Sequence, residues 1–357
     1  MSYSNEDVIQ YIEEEDVKFI RLTFCDLNGV QKNISIMPNM LAKTFESGVA
    51  IDASSVAGFE GYDKIVLHPD PNTISVLAWR PSQGRVIRMF CNITDESGNK
   101  VATSARDFLQ GVLAKNPEVA SNIKFKTDFE FYLFKLDEEG FETALPYDVA
   151  GYMDIAPLDK GENIRREVCL YLNAMDIETA GSHHSYGPAQ NRIILSEVEP
   201  LTAAENAITL EAVVKNVASK NGLSANFKHQ PLEDAPVSKN NITLKVAPEY
   251  LDKYYENLKA HLDEVYLFLN NTTYLYADYD AAKNVTVDKI SSEIRIGRIS
   301  STANFYLVVA SIIAAIASEE KPVGEEARNL AVAKAITAKS PLVNSVFPTE
   351  IVEKFTK

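Results

Sequence analysis

Cysteine is scarce: three residues in a chain of 357, with Cys25, Cys91 and Cys169 far apart and in apolar surroundings. That spacing suggests neither a disulfide framework nor a Cys-x-x-Cys metal site, so all three are expected to be buried thiols in a reducing cytoplasm. Positive charge is also in deficit. The 35 basic residues stand against 50 acidic ones, a formal charge of −15, which repels nucleic acid and anionic membrane; neither is expected as a partner. No apolar run is long enough to span a bilayer, the nearest being Phe305 to Ala317, followed by Glu319-Glu320. Met1 to Val17 is acidic and periodic, without the basic patch and apolar core of an export signal, so the expected location is cytoplasmic. Repeats, low-complexity tracts and long linkers are missing as well. The length, with 46% hydrophobic residues, implies about two domains with real cores.

Hydrophobic periodicity gives the element order. Glu6 to Glu15 reads as an amphipathic helix, and Lys18 to Asp26 alternates as a strand. Asp26-Leu27-Asn28-Gly29 is a turn, and Val30 to Ile36 the returning strand. A helix over Leu41 to Ser47 closes at Gly48, and strands are predicted over Ile65 to Leu67, Ile74 to Trp79 and Arg85 to Ile93. Ser104 caps a helix ending at Asn116-Pro117, which places a domain boundary near residue 100. Beyond it, strands are predicted over Phe125 to Lys135 and Ser292 to Ile299. Helices are predicted over Asn163 to Met175, Pro200 to Asn221, Tyr250 to Leu269, Asn304 to Ala317 and Glu325 to Ala338.

One stretch is built like a site. Thr179 to Leu195 contains His183-His184, then Gly187-Pro188, then an apolar run from Ile193, the pattern of two strands joined by a bend that gathers polar side chains. A divalent-metal cage in such a bend needs carboxylates, yet Ser185 and Arg192 stand at the positions that would supply them.

Several segments in one order resemble glutamine synthetase of the bacterial and archaeal type over most of the chain. Val17 to Val30 is similar to that family's opening hairpin, and Ile51-Asp52-Ala53-Ser54-Ser55 to its Phe-Asp-Gly-Ser-Ser loop. Leu67-His68-Pro69-Asp70 and Trp79-Arg80 follow in the family's order. Tyr152-Met153-Asp154, Asn163-Ile164-Arg165-Arg166, Val213-Val214-Lys215 and Gly222 to Phe227 continue the likeness. The resemblance implies an α+β fold: a β-grasp-like N-terminal domain over 1–100 and a glutamine-synthetase-like α/β catalytic domain over 101–357 with a curved, mainly antiparallel sheet. It also implies rings with the active site between neighbouring subunits, and ATP-dependent amidation of glutamate by ammonia assisted by Mg²⁺ or Mn²⁺. Those hard cations require oxygen ligands.

The resemblance breaks at the ligands. The Glu-x-Glu strand of the family is Asp128-Phe129-Glu130 here. The His-His-Glu glutamate is Ser185, and a second ligand glutamate is Arg192, whose cation repels a metal. The glycine-rich segment with a ligand histidine is replaced by Val237 to Ile242, including Lys239 and Asn241. The last ligand strand keeps Glu293 and Arg295. Segments that in the family bind glutamate, shield the intermediate and contact ATP phosphates have no counterpart between Leu269 and Glu293.

Asp128, Glu130 and Glu293 therefore form either a residual metal site or ion pairs with Arg192 and Arg295. Pairing is favoured, because an arginine among carboxylates is a covalently attached cation. His183 and His184, adjacent on a strand, face opposite sides, which favours a core role for at least one over metal binding. Asp52 resembles the family residue that helps deprotonate ammonium across a subunit interface; a local turn role beside Ser54 and Ser55 fits equally. The expected function is a glutamine-synthetase-like pseudoenzyme acting by binding or assembly, homo-oligomeric or mixed with an authentic synthetase. Cofactors are not expected, with Mg/Mn and ATP used only if ligase chemistry persists. The alternatives are an ATP-dependent ligase for another acid or amine, with Arg192, Lys239 and Arg295 as an anion clamp, and a purely structural or small-molecule-binding subunit.

Overall fold

The computed structural model describes residues 3–80, 84–276 and 280–357, and the chain divides into two units, Met1–Gln110 and Gly111–Lys357. In the first, α1 (Asn5–Glu14) starts where Ser4 and Asp7 each accept the other's backbone N–H, a reciprocal cap that satisfies two otherwise orphaned donors. β1 (Val17–Cys25) and β2 (Gln31–Ile36) form the opening hairpin, with Leu22 opposite Ile34. Next come α2 (Leu41–Ser47), β3 (Val49–Asp52), β4 (Lys64–Pro69), β5 (Ser75–Val76) and β6 (Arg85–Asp95). The sheet runs β2-β1-β6-β4-β3, with β5 on β6. β1 and β6 are parallel, and Ile20, Leu22, Ile65, Leu67 and Met89 build its core with Val8 and Ile12 of α1. This is the β-grasp-like arrangement.

The strand predicted over 74–79 shrinks to Ser75–Val76. Leu77 still donates to the Val86 carbonyl, but Arg80 donates back to the Leu77 carbonyl, so a turn ends the pairing there. α3 (Ala105–Lys115) spans the division between the units, and α4 (Pro117–Ser121) follows.

The second unit continues with β7 (Ile123–Leu136), β8 (Glu142–Pro146), α5 (Glu162–Asn173), β9 (Thr179–His184), β10 (Gln190–Leu195), α6 (Pro200–Lys220), β11 (Leu223–Asn226) and β12 (Asn240–Val246). α7 (Leu251–Leu269), α8 (Ala281–Asn284), β13 (Val285–Asp288), β14 (Glu293–Ile299), α9 (Phe305–Ala317), α10 (Leu330–Lys339), α11 (Pro341–Val346) and α12 (Thr349–Thr356) complete it. The sheet order is β13-β14-β12-β7-β10-β9, with β8 and β11 also on β7, and these pairs are antiparallel.

β7 is the spine. Its period of two sends Phe125, Phe129 and Phe131 to one face and Asp128 and Glu130 to the other. Phe129 meets Phe305 of α9 at 5.1 Å, ring to ring, which identifies the first face as the helix-covered one. Leu210, Val213, Val214 and Val217 of α6 and Phe305 to Ile316 of α9 are buried. Each large apolar side chain so buried contributes about 1.5–3 kcal/mol. Among the described residues no helix is long and apolar enough to cross a membrane.

Two expectations are corrected here. The helix predicted from Glu325 begins only at Leu330, because Asn329 caps it through the Val332 N–H; upstream, the Ala327 N–H is drawn to Asp263 at 2.8 Å. Cys25 and Cys91 are buried, but Cys169 is only half-buried, since it lies on the half-covered side of α5.

Candidate functional site

The β9–β10 hairpin places alternate residues on opposite faces of the sheet, and both faces carry ionic clusters. On the face opposite the α9 helix, Arg192 of β10 sits across from Glu130, and Asn241 of β12 across from Asp128. Arg192 Nε donates to Asp128 Oδ1 at 2.6 Å, its Nη2 donates to Asp128 Oδ2, and its Nη1 reaches Glu130 Oε1 at 3.5 Å. The two-pronged contact with Asp128 matches the planar guanidinium to a planar carboxylate.

Glu130 is nearly saturated as an acceptor. Its Oε1 also accepts from Ser185 Oγ at 2.7 Å, and its Oε2 accepts from the Lys239 N–H at 2.9 Å and Gln190 Nε2 at 3.4 Å. Burial raises its pKa above the ordinary carboxylate value; the Lys239 N–H, Ser185 and Arg192 oppose the rise, and the charge of Asp128 adds to it. Burial lowers the Arg192 pKa, but the bond to and charge of Asp128 outweigh it, so the guanidinium is held more firmly charged. Asn241 Nδ2 approaches Asp128 Oδ2 at 3.4 Å. A cavity of ≈550 Å³ opens over this cluster, with Lys239, Arg295 and Arg298 on its walls. Gly187 is required at the bend, since a Cβ there would lie 2.5 Å from the Tyr132 hydroxyl.

On the helix-covered face, His184 is paired with Asn191 in register. Its Nε2 meets Asp148 Oδ1 and its Nδ1 the Ser185 carbonyl, each at 2.9 Å. Asp148 further accepts the N–H groups of Ala189 at 2.9 Å and Lys160 at 3.0 Å. Arg165 of α5 grips Asp159 through both terminal nitrogens and reaches Asn191 Oδ1. Ligand atoms of Asp148, Asp159 and His184 lie within 4.8 Å of one another, a metal-like spacing, but Arg165 already supplies the positive charge. Burial pushes the Asp148 pKa up and that of His184 down, yet their mutual hydrogen bond prevails, leaving Asp148 below and His184 above its usual range.

The structure thus brings Asp128, Glu130, Ser185, Arg192, Lys239 and Asn241 together, with Arg295 on the wall of the same cavity. Glu293 is elsewhere: it faces Lys245 on β12, four residues along from Asn241. The β14 residue beside Asn241 is Gly297, where a Cβ would stand 3.4 Å from Asn241 Oδ1. Asp52 belongs to the first unit, where its Oδ1 accepts the Ser54 hydroxyl at 2.6 Å and the Ser54 N–H at 2.8 Å. Those bonds, the hydroxyl first, hold its pKa low. His183 lies edge-on to Tyr152. Sequence reading missed Asp148, Asp159, Arg165 and Gln190. The available signal was that Asp148 and Asp159 bracket an acid-containing loop just before the basic pair Arg165-Arg166.

Comparison with known proteins bears on this geometry. The family model for the glutamine synthetase beta-Grasp domain matches residues 16–96, and that for the glutamine synthetase catalytic domain matches 102–242. Glutamine synthetase of Clostridium saccharobutylicum is 36% identical over 232 residues, 64% of this chain and 52% of its own length. That of Halobacterium salinarum is 36% identical over 228 residues, 63% of this chain and 50% of its own. The chain spans about half the length of the curated relatives it matches. Among solved structures, a ligand-free GmaS superposes with a TM-score of 0.82 at 18% identity, over 98% of this chain and 94% of that one. A cryo-EM structure of Plasmodium falciparum glutamine synthetase gives 0.76 at 18% identity, over 90% and 77%. At that identity the likeness is one of fold, and with GmaS it extends beyond residue 242, where the family model stops.

Proposed function

Because the chain belongs to the glutamine synthetase family, we propose that it keeps the family's sheet while a guanidinium has replaced its metal, and that it acts by binding or assembly rather than by glutamate–ammonia ligation. The observation that carries this reading is Arg192 lying across Asp128 and Glu130. A hard divalent cation needs several free oxygen ligands. Here the candidate oxygens already accept from Arg192, Ser185, Gln190, Asn241 and the Lys239 N–H, and Glu293 lies off the cavity. A metal about 4 Å from the guanidinium would meet a repulsion on the order of 4 kcal/mol per unit charge at an effective dielectric of 20. The donor set does not fit such an ion.

Ring assembly fits the same reading. In mixed rings with an authentic synthetase, the Asp52 loop would serve a partner's site while the Arg192 site stays silent. The test is purified chain with glutamate, ammonia and Mg-ATP: no glutamine is expected, and glutamine formation would end this reading. Co-expression with a synthetase should yield mixed particles of lowered activity, whereas two separate species with unaltered activity would remove the mixed-ring part.

A second reading, an ATP-dependent ligase for another acid or amine, is favoured by the basic walls of the cavity. It requires that Mg-ATP raise the melting temperature, because a ligand that binds the native state stabilises it by mass action. Weak or no Mg-ATP affinity is expected.

A further inference from the structure

The cavity over Arg192 is lined by side chains of nearly one sign. Lys239, Lys283, Arg192, Arg295 and Arg298 contribute to its walls, against Glu130 as the acid. Arg192 is matched by Asp128 and Glu130, and Lys283 pairs with Asp280 at 2.9 Å. Lys239 and Arg295 form no ion pair among the described residues. Glu130 does not answer them, because a carboxylate accepts about four hydrogen bonds and four donors already reach its oxygens.

An unspent donor lines the same cavity. Asn284, lining the cavity and 6% exposed, has an amide nitrogen without a partner. Excess cationic charge and an unpaired donor around ≈550 Å³, within the size range of small-molecule sites, specify an anionic occupant. A neutral or cationic one would leave the excess charge unanswered.

We propose that this cavity binds a small molecule carrying two negative charges, without a metal ion, with Lys239 and Arg295 as its charge partners. The inference rests on the reading that Arg192, and not a divalent cation, neutralises Asp128 and Glu130. A guanidinium fork suits a planar carboxylate or a phosphate, and an ammonium suits either as a point charge. The shared chemistry is therefore a dianion, a dicarboxylate or a phosphate.

The test uses the full chain in resin-treated, metal-free buffer at fixed ionic strength, titrated with glutarate, inorganic phosphate and the neutral analogue glutaramide, and read by thermal shift and calorimetry. A saturable rise in melting temperature with glutarate alone assigns a carboxylate ligand, and with phosphate alone a phosphate ligand; glutaramide should do nothing. Lys239→Ala and Arg295→Ala should each weaken the effective anion about ten-fold or more, as loss of a charge-assisted hydrogen bond does, without lowering the unliganded melting temperature. No saturable shift with either anion, or shifts undiminished in both variants, would overturn the site. Binding that appears only after Mn²⁺ is added would overturn the metal-free reading as well. Failure without and with Mn²⁺, in a chain that still forms no glutamine, would remove the anion site alone.

Discussion

The two faces of the β9–β10 hairpin solve the same electrostatic problem differently. On the helix-covered face, Asp148, Asp159, Arg165 and His184 are at most 4% exposed, and two acids are answered by one arginine and one histidine. On the open face, Asp128 and Glu130 are answered by Arg192, whose side chain is 14% exposed, and further cations stand across a cavity. Such low exposure leaves a charge little recourse to water, so the first cluster is paired within the fold, although Asp159, Arg165 and His184 also line a cavity of ≈910 Å³ between α5 and β9. The second lies against a cavity in which, on the proposal above, a ligand would supply further partners. The paired face reads as structure, and the Arg192 face is the one proposed to bind.

The largest loss is expected at Arg165. Arg165→Met strands Asp159 in the interior, and a loss of about 3–5 kcal/mol is expected, the usual cost of removing one member of a buried pair; urea unfolding measures it. Arg192→Met should cost less, about 1.5–3 kcal/mol for lost charged hydrogen bonds, because cavity water relieves Asp128 and Glu130. The same variant should gain a Mn²⁺-dependent thermal shift, and its absence would mean that the carboxylates are not a latent cation site.

The pH dependence sharpens the contrast. Asp148 has a lowered folded pKa, so its contribution is present above its unfolded value of about 3.9 and lost as pH falls through the folded one. His184 has a raised folded pKa, so its contribution is present below its unfolded value of about 6.5 and lost as pH rises through the folded one. Between about 4 and 6.5 both are whole. Glu130 is raised, so its share also declines with rising pH, but from its unfolded value near 4.3. His184→Gln should flatten the decline above about 6.5 in the pH profile of urea unfolding; an unchanged slope would place the titration elsewhere. The smallest effect is expected at Asp52. Asp52→Ala removes only exposed bonds to Ser54, so the unfolding midpoint and anion binding should both stay put.

What the sequence disclosed follows from the range of the forces involved. The opening hairpin, α6, α9 and β7 are legible because alternation and helical spacing are local. Ser185 and Arg192 stand out as departures because neighbouring residues fix their place. Glu293 illustrates the limit: its motif is local, but which residue of β14 faces Asn241 is set by pairing across β12, with a bulge between Asn240 and Ile242. β12 was hidden by its polar start at Asn240-Asn241, whose side chains are buried against β7 and the cavity. The Asp148–His184 contact spans 36 positions, and charges in a loop give no hint of such a partner. α10 starts late because Asn329 supplies the cap and Asp263 draws the preceding segment to α7.

The most direct measurement is Mn²⁺ binding by the unaltered chain, followed through the paramagnetic resonance signal of the free ion during titration. If the Arg192 guanidinium holds the place of a metal, the signal should grow with added Mn²⁺ as it does in buffer, and in Arg192→Met it should be suppressed until one site is filled. Stoichiometric uptake by the unaltered chain would contradict the account, because it would place a divalent ion on the carboxylates that Arg192 is held to neutralise.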